Sequence, residues 1–411
     1  MSNCVIRDGP LYPTAHRLHH LPSLASWYTW RTYQQAIKTL YQIISQAEVV
    51  VNTSDTAADM SVHFLAEGEQ QPQDIANLLA EFVRGARRSL DIAIYDFRLS
   101  DPLREIVAGA LADAAAAGAA IRIAYDADKP ETPNLAVGMD PAPLGTGGFV
   151  QSLGYPWRRI GGMKLMHNKY IVRDAGDPAA AVWTGSTNFT DDSWTLQENN
   201  ILLIPDATLA SYYARDFSDL WTRGEIEDTG AFDTQRANAC YDGDDVRAHV
   251  LFSPGRGPAI DYDVGNLVAG ARRRVRICSM LLNSSALIAA LGDVLRTRRA
   301  PVSGIYDQTQ MASVLEQWQD VPHNHWKIGA VRDIVAEAQL VGKRSTPYSP
   351  TSRHDFMHNK TLVVDDTVVT GSYNFSHSAE LNAENLLMLT SPALADAYSD
   401  YIDHLVARYS G

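Results

Sequence analysis

Residues 166–174 read M-H-N-K-Y-I-V-R-D, and residues 357–365 read M-H-N-K-T-L-V-V-D. Each stretch is followed by T-G-S-x-N-F and then Thr or Ser, and a Glu-Asn pair begins thirteen residues beyond the glycine of each turn. A single H-x-K is uninformative in a chain of 411 residues, but an ordered polar set that recurs on either side of one short insertion is a specific signal. The chain therefore contains a duplicated catalytic half-site.

The recurring polar positions form two matching sets of candidate site residues. The first set is His167, Lys169, Asp174, Gly185, Ser186, Asn188 and Glu198. The second set is His358, Lys360, Asp365, Gly371, Ser372, Asn374 and Glu384. The similarity extends to G-A-R-R-S-L-D-I at 85–92 and G-A-R-R-R-V-R-I at 270–277. A repeat this long indicates two homologous domains, because solenoid repeats span only about 20–50 residues.

Strand and helix patterns alternate in both copies. The first copy predicts a strand over 90–96, a helix from about 102 to 117 and a strand over 121–125, and the second copy repeats this order over 275–306. Such alternation predicts α/β halves with largely parallel central strands and helices outside. The motif itself resembles a strand from its lysine onward, so His and Lys, two residues apart, project from the same face.

Three segments are expected along the chain: an N-terminal helical extension over 1–60, a first α/β domain over 61–245 and a second over 246–411. In the extension, apolar residues at helical spacing predict an amphipathic helix over about 31–46. We expect this helix to dock against the first domain. The remaining chain is long enough for each half to bury its own core.

Composition limits the class of protein. The chain is 45% hydrophobic and 20% charged, as in ordinary globular proteins, and its start resembles no signal peptide. No run of about eighteen apolar residues occurs, so we expect no transmembrane segment and a cytoplasmic location. Three widely spaced cysteines fit reduced thiols. The net charge of −13 argues mildly against a free-standing nucleic-acid binder.

Two stretches before the motifs, 131–163 and 340–356, are rich in Gly, Pro and Ser and are expected to be long loops. They carry local basic and aromatic groups that either bind substrate or are solvated loop charges: Trp157, Arg158, Arg159, Lys164, Lys343, Arg344, Arg353 and His354.

The paired His-Lys sets favour an anionic substrate. A metal site is a poorer interpretation, because a lysine on the same face as the histidine would repel a cation. Lysines, serine hydroxyls and asparagine amides are the donors that an anion with several oxygens requires. The target is most economically a phosphoryl group, and neither a cofactor nor a metal is expected.

Two histidines at one phosphate suggest a two-step reaction. One neutral imidazole attacks phosphorus and forms a phosphohistidine, while the other, protonated, protonates the leaving alkoxide and later activates water. The side chains of Lys169, Lys360, Asn188 and Asn374 would hold the non-bridging oxygens. Glu198 and Glu384 are expected to accept a hydrogen bond from the far ring nitrogen of a histidine, and Asp174 and Asp365 to be turn caps.

H-N-K-x4-D followed by G-S-x-N, present twice, resembles the phospholipase D superfamily, although the two spacings between Asp and Gly-Ser depart from its six residues. The resemblance covers roughly residues 60–411. It implies two phospholipase D-like α/β domains with mostly parallel or mixed sheets about a pseudo-twofold axis. It also implies one metal-independent active site at their interface, with His167 as nucleophile and His358 as general acid. A monomer would then suffice for a complete site.

The superfamily includes phospholipases, synthases and nucleases, so the resemblance does not choose the substrate. We favour narrowly the hydrolysis or transfer of a phospholipid headgroup, with peripheral membrane contact through Trp157, Tyr155, Tyr348 and Phe356. The alternative is a metal-independent nuclease acting on DNA or RNA, because the same aromatics could stack on bases. A non-catalytic anion-binding scaffold is a third hypothesis, against which the two retained histidines argue.

Overall fold

The structure is a computed structural model that describes residues 59–127 and 143–411. The N-terminal extension expected over 1–60 thus lies, except for its last two residues, outside the described residues. Ala57–Gly411 form one compact unit. Within the described ranges, no helix combines the length and the apolar character needed to cross a bilayer.

Strands run through both halves of the chain. Those of the first half are β1 (Ser61–Leu65), β2 (Ser89–Ile94), β3 (Phe97–Arg98), β4 (Ala120–Asp126), β5 (Trp157–Ile160), β6 (Lys169–Arg173), β7 (Ala181–Gly185), β8 (Phe189–Thr190) and β9 (Asn199–Ile204). Those of the second half are β10 (Ala237–Tyr241), β11 (Asp244–Ser253), β12 (Val275–Ser279), β13 (Val302–Asp307), β14 (Val341–Lys343), β15 (Lys360–Val364), β16 (Thr367–Gly371) and β17 (Glu384–Thr390).

Helices connect these strands. The first half contains α1 (Pro72–Arg84), α2 (Asp101–Ala116), α3 (Thr146–Ser152), α4 (Asp191–Thr195) and α5 (Ala207–Arg223). The second half contains α6 (Gly257–Ala269), α7 (Ser285–Thr297), α8 (Gln308–Gln319), α9 (His325–Glu337), α10 (His377–Leu381) and α11 (Pro392–Tyr409). The predicted strand–helix–strand order is confirmed in both copies by β2–α2–β4 and β12–α7–β13.

The two sheets repeat one topology. The first has the strand order β1-β9-β7-β6-β2-β4-β5, and the second has β11-β17-β16-β15-β12-β13-β14 with β10 added at its edge. The α/β fold class is therefore confirmed, and the sheets are of the mixed kind. In each, two neighbouring pairs are parallel, β2–β4 and β4–β5 or β12–β13 and β13–β14. The motif strands β6 and β15 run antiparallel to both neighbours. A two-residue turn joins β15 to β16, whereas residues 174–180, which include the insertion of the first copy, join β6 to β7.

One apolar core is shared by the two halves. It joins the inner faces of both sheets to α5 and α11, and includes Tyr170 and Phe217 from the first half and Val363, Leu387 and Tyr398 from the second. Two further cores lie on the outer faces, one under α1 and α2 and the other under α6, α7 and α9. The central core fixes the halves against each other, because apolar surface from both is removed from water at the same place.

The expected domain boundary between 245 and 246 falls inside β11. The chain instead passes to the second sheet between α5 and β10, since β10 pairs with β11. The stretches expected to be long loops also contain regular secondary structure. Residues 131–142 lie outside the described residues, but α3 and β5 occupy part of the first stretch, and β14 begins the second.

The glycine and the last residue of the T-G-S-x-N-F-[TS] turns have the same structural roles in both copies. Gly185 and Gly371 have φ of 136° and 134°, and a Cβ at either would collide with a main-chain oxygen, of Asn200 or Asn385. The last motif residue is a helix N-cap. Thr190 accepts a hydrogen bond from the Ser193 amide at the start of α4, and Ser376 does the same at α10.

The motif aspartates bind main-chain amides next to the matching G-A-R-R segments. The Asp174 carboxylate accepts hydrogen bonds from the amides of Arg87, Arg88 and Ser89 at 2.6–3.0 Å. Asp365 accepts the corresponding bonds from residues 272–274. Burial disfavours the Asp365 carboxylate, yet these amides lower its pKa below the usual value. Asp174 thus joins the end of β6 to the start of β2, and Asp365 joins the end of β15 to the segment before β12.

Asp174→Ala should destabilise the fold by about 1–3 kcal/mol, because three partly buried N–H donors lose a charged acceptor. Urea denaturation followed by circular dichroism measures the change in the free energy of unfolding. The control is Asp400→Ala, at an exposed position on α11. Equal stability of the two variants would contradict this role for Asp174.

Candidate active site

Each half holds the motif of the other by main-chain hydrogen bonds. The His167 amide donates to the Ala383 carbonyl oxygen at 2.9 Å, and the His358 amide donates to the Glu198 carbonyl oxygen at 3.1 Å. The Ala383 amide returns a bond to Leu165 at 2.9 Å. The segment before β17 thus positions the first motif, and the segment before β9 positions the second.

Two further carboxylates fix the motif backbones. The Met166 amide donates to Asp126 at 2.7 Å, and the Met357 amide donates to Asp307 at 3.0 Å. Asp126 and Asp307 are the last residues of the parallel strands β4 and β13. The carboxyl end of each strand therefore lies next to the motif of its own half. Neither is among the residues predicted from the sequence, although a Tyr-Asp pair recurs at the ends of the two strands.

Both motif histidines line a single cavity of about 200 Å³. This cavity lies where the two halves meet, since its walls come from both. The other lining residues are Tyr95, Asp96, Pro143, Asn188, Thr190, Gln197, Met280, Leu281, Tyr348, His354, Phe356 and Asn374. The structure therefore brings both predicted histidines and both motif asparagines to one place.

His167 is paired with a carboxylate from the opposite half. Its Nδ1 lies 2.8 and 3.0 Å from the two carboxylate oxygens of Glu384, which is fully buried. Burial lowers the pKa of His167 to about 4, and Lys169 adds to this, although Glu384 acts in the opposite direction. His167 is therefore neutral near pH 7, with Nδ1–H donated to Glu384 and Nε2 left as the free nitrogen.

His358 has a different partner from the one expected. Its Nδ1 lies 3.0 Å from the side-chain oxygen of Asn199, not near the Glu198 carboxylate. Burial lowers the pKa of His358 well below the usual value, and Lys360, Lys169 and His167 lower it further. The expectation that Glu198 orients a histidine through its side chain is wrong.

The Glu198 side chain belongs to a buried ion pair behind the cavity. Its carboxylate accepts hydrogen bonds from the Lys343 ammonium at 2.7 Å and from the Tyr409 hydroxyl at 2.5 Å. Both charged groups of the pair are buried. Lys343, which the sequence left as either a substrate-binding or a solvated residue, is thus a structural cation inside the protein.

The two motif lysines are buried beside the histidines. The ammonium group of each donates to the carbonyl oxygen of its own motif histidine, at 2.8 Å for Lys169 and 2.6 Å for Lys360. Burial lowers the pKa of Lys169 to about 7, against the effect of Glu384, Asp96 and Asp126. Burial and the nearby Lys169 lower the pKa of Lys360 well below its usual value. The site thus concentrates basic groups that a bound anion would stabilise in their charged forms.

The motif asparagines and serines have separate roles. Within the described residues, the side-chain oxygens of Asn188 and Asn374 are buried and have no hydrogen-bond partner. Both side chains line the cavity, so each of these oxygens is an unused acceptor for a hydrogen-bond donor at the cavity. The hydroxyls of Ser186 and Ser372 instead accept the amides of Asn200 and Asn385, each at 3.0 Å. The serines therefore join the motif turn to the neighbouring strand.

Aromatic rings form one wall of the cavity. The rings of Tyr348, His354 and Phe356 form a cluster, in which the His354 centroid lies 5.5 and 5.2 Å from those of Tyr348 and Phe356, at interplanar angles of 26° and 27°, and the Tyr348 and Phe356 centroids lie 6.3 Å apart. Tyr348 is the exposed member of this cluster, with 58% of its surface accessible. Neither Tyr155 nor Trp157, the other aromatics expected at a substrate surface, lines the cavity.

A charged pair borders the cavity on the side of the first half. The Asp96 carboxylate accepts two hydrogen bonds from the Arg98 guanidinium, both at 2.7 Å. Of the basic loop residues, Arg158 donates to the carbonyl oxygen of Trp221 and Arg159 to that of Ala127. In the described part of the chain, no three His, Cys, Asp or Glu side chains are grouped as a metal site would require.

A family model described as "cardiolipin synthase, PLD-like domain" matches residues 79–221 and 265–406. The chain is also 30% identical over 141 residues to the mitochondrial cardiolipin hydrolase of Xenopus laevis. That match spans 33% of this chain and 56% of the relative, so the chain spans little more than half of that protein.

Two solved structures share the fold over most of the chain. Phosphatidylserine synthase from Haemophilus influenzae Rd KW20 gives a TM-score of 0.58 at 14% identity, covering 85% of this chain and 86% of that one. Polyphosphate kinase from Porphyromonas gingivalis gives 0.52 at 12% identity, covering 84% and 50%. Since the family model matches both halves, and with them most of the sequence, the chain belongs to the phospholipase D superfamily, with two copies of the PLD-like domain described for cardiolipin synthase.

Proposed function

We propose that the chain is a phosphodiesterase of the phospholipase D type, which cleaves a phosphodiester through a covalent phosphohistidine and acts on a phospholipid. The observation that carries this proposal is the cavity shared by His167 and His358, next to two buried lysines. A phosphodiester anion would supply the negative charge that stabilises these lysines in their protonated form. The complete site comes from one chain, so a monomer suffices.

In the first step, Nε2 of neutral His167 attacks phosphorus while the bond from phosphorus to the leaving oxygen breaks. His358, protonated once the anion is bound, gives its Nε2 proton to that oxygen. Glu384 stabilises the positive charge that develops on the His167 ring, because its carboxylate accepts the Nδ1–H bond. Lys169, Lys360 and the amides of Asn188 and Asn374 bind the non-bridging oxygens.

In the second step, His358 is neutral and accepts a proton from water through Nε2. The water oxygen forms a bond to phosphorus, and the bond between phosphorus and Nε2 of His167 breaks. The bonding electrons return to the imidazole, which restores the starting enzyme. An alcohol in place of water would give headgroup transfer by the same route.

Similarity and shape both support a phospholipid. The matching family model and the Xenopus laevis relative are described by reactions of cardiolipin. The cavity wall also includes the apolar side chains of Met280, Leu281 and Phe356 beside the exposed ring of Tyr348. Peripheral contact with a membrane through this edge, and a cytoplasmic location, remain predictions.

A nuclease is the second candidate. The clustered rings of Tyr348, His354 and Phe356 offer an aromatic surface on which a base of single-stranded DNA or RNA could stack. An anion-binding scaffold without turnover would not need a histidine with a buried carboxylate partner, so it is the least favoured.

His167→Ala and His358→Ala should each lower turnover of bis(p-nitrophenyl) phosphate, by on the order of 10⁴-fold for the nucleophile. Release of nitrophenolate in the presence of EDTA measures this, and the parent should retain its activity there. The acid limb of kcat/KM should lie near pH 4, because His167, whose pKa is about 4, attacks only when it has lost its proton. Undiminished turnover in both variants would refute the mechanism.

Glu384→Gln and Glu198→Gln should separate catalysis from stability. Glu384→Gln should lower kcat by about 10²-fold or more, because the His167 ring loses its charge partner. It should also move the acid limb to lower pH, since Glu384 raises the pKa of His167. Glu198→Gln should instead destabilise the fold by about 2–4 kcal/mol, because Lys343 loses a buried partner, while most of kcat remains.

The substrate class can be decided by products. Purified protein is incubated with cardiolipin- and phosphatidylglycerol-containing vesicles, and separately with labelled single-stranded and duplex DNA and RNA. We expect mass spectrometry to show release of a free headgroup or its transfer to an added alcohol, absent with His167→Ala. Strand cleavage without lipid turnover would favour the nuclease instead.

A further inference from the structure

We propose that Asn199 is the positioning residue of His358, and that the uncharged Asn199 and charged Glu384 at equivalent positions give the two histidines different roles. His167, paired with Glu384, is the nucleophile, and His358, paired with Asn199, carries the proton. This inference rests on the phosphodiesterase function proposed above.

Strand register shows which residues of the two halves are equivalent. Gly185 is opposite Ile201 in the β7–β9 ladder, and Gly371 is opposite Leu386 in the β16–β17 ladder. The residue two positions before Ile201 is Asn199, and the residue two positions before Leu386 is Glu384. Glu198 is therefore not the equivalent of Glu384, although both lie thirteen residues after their glycines.

One extra residue in the first half causes this difference. The segment from Ser186 to Asn199 is one residue longer than the segment from Ser372 to Glu384. The main-chain bonds agree with the shifted alignment, since the His167 amide binds Ala383 and the His358 amide binds Glu198. Ala383 and Glu198 are thus equivalent to each other.

The surroundings of Asn199 fix the orientation of its amide. The side-chain oxygen accepts the Ser186 hydroxyl at 2.7 Å and faces Nδ1 of His358 at 3.0 Å. The side-chain nitrogen faces the acceptors Ser193 O at 3.1 Å and Gln197 Oε1 at 3.2 Å. Because the oxygen can only accept, Nδ1 of His358 must hold a proton and Nε2 is the nitrogen that exchanges one.

The charges around the two rings are unequal. Lys169 and Lys360 act on both rings, but His167 also faces the Glu384 carboxylate, which opposes their effect, whereas no carboxylate is among the groups that act on His358. The Glu198 carboxylate is occupied by Lys343. The remaining charged pair at the cavity, Asp96 with Arg98, is internally neutralised.

This inequality suits the two chemical roles. Attack on phosphorus leaves a positive charge on the nucleophile's ring, which a carboxylate partner stabilises. The proton carrier must release its proton to the leaving oxygen and then accept one from water. An amide partner holds the correct tautomer without binding that proton more tightly, so the ring remains a strong acid in the first step.

The site of the covalent intermediate tests the assignment directly. The parent and the double variant Asn199→Asp with Glu384→Asn are mixed with bis(p-nitrophenyl) phosphate, quenched in alkaline denaturant and digested. Peptide mass spectrometry then locates the nitrophenylphosphoryl group. We expect it on His167 in the parent and at least partly on His358 in the double variant, in which the charged partner has changed sides.

Single variants provide a second measurement if the double variant does not fold. Asn199→Asp should move the alkaline limb of kcat to higher pH by about 1–3 units, because a carboxylate favours the protonated form of His358. Asn199→Ala should lower kcat about 10–10²-fold with little change in KM, since the tautomer is no longer fixed. A purely structural role would give a lower melting temperature with an unchanged pH profile.

The outcomes separate this inference from the proposed function. An adduct on His358 in the parent, or an unchanged alkaline limb in folded Asn199→Asp, overturns the role of Asn199 while phosphodiesterase activity stands. Absence of both turnover and adduct in the parent overturns the proposed function and, with it, the inference. An adduct on His167 in the parent, together with a shifted alkaline limb in Asn199→Asp, supports both the proposed function and the role of Asn199.

Discussion

The exchange of main-chain hydrogen bonds between the halves determines where the reactive groups lie. The His167 amide binds a carbonyl of the second half, and the His358 amide binds a carbonyl of the first. These bonds do not depend on side-chain identity, so they place the two imidazoles at one cavity whichever partner each ring has. The shared apolar core around α5 and α11 keeps the two sheets at the distance that these bonds require.

Burial of cationic groups is the second property on which the site depends. Lys169 and Lys360 are almost fully removed from water, and their ammonium groups bind main-chain carbonyl oxygens rather than carboxylates. Such an arrangement stabilises the folded protein little, because desolvation disfavours the charged forms. It does, however, create a strong preference for an anion at the one place where both half-sites meet.

Much of this arrangement could be predicted from the sequence, because the repeat exposes it. The histidines and lysines were identified by their recurrence, and the strand character of the motif followed from its apolar residues. The partner of His358 could not be found in that way, because Glu198 and Glu384 lie equally far from their glycines, and this equal spacing hides the one-residue insertion in the first half. Only the β-sheet register shows that Glu198 faces Lys343 and that Asn199 faces the histidine.

The presence of both copies in a single polypeptide also has an evolutionary consequence. In a symmetric homodimer one gene specifies both surfaces, so each substitution appears twice and a charged partner cannot be kept on one side only. Here codons 199 and 384 mutate independently. A chain that carries both half-sites is therefore free of this constraint, and an acidic partner can stand beside one imidazole while an amide stands beside the other.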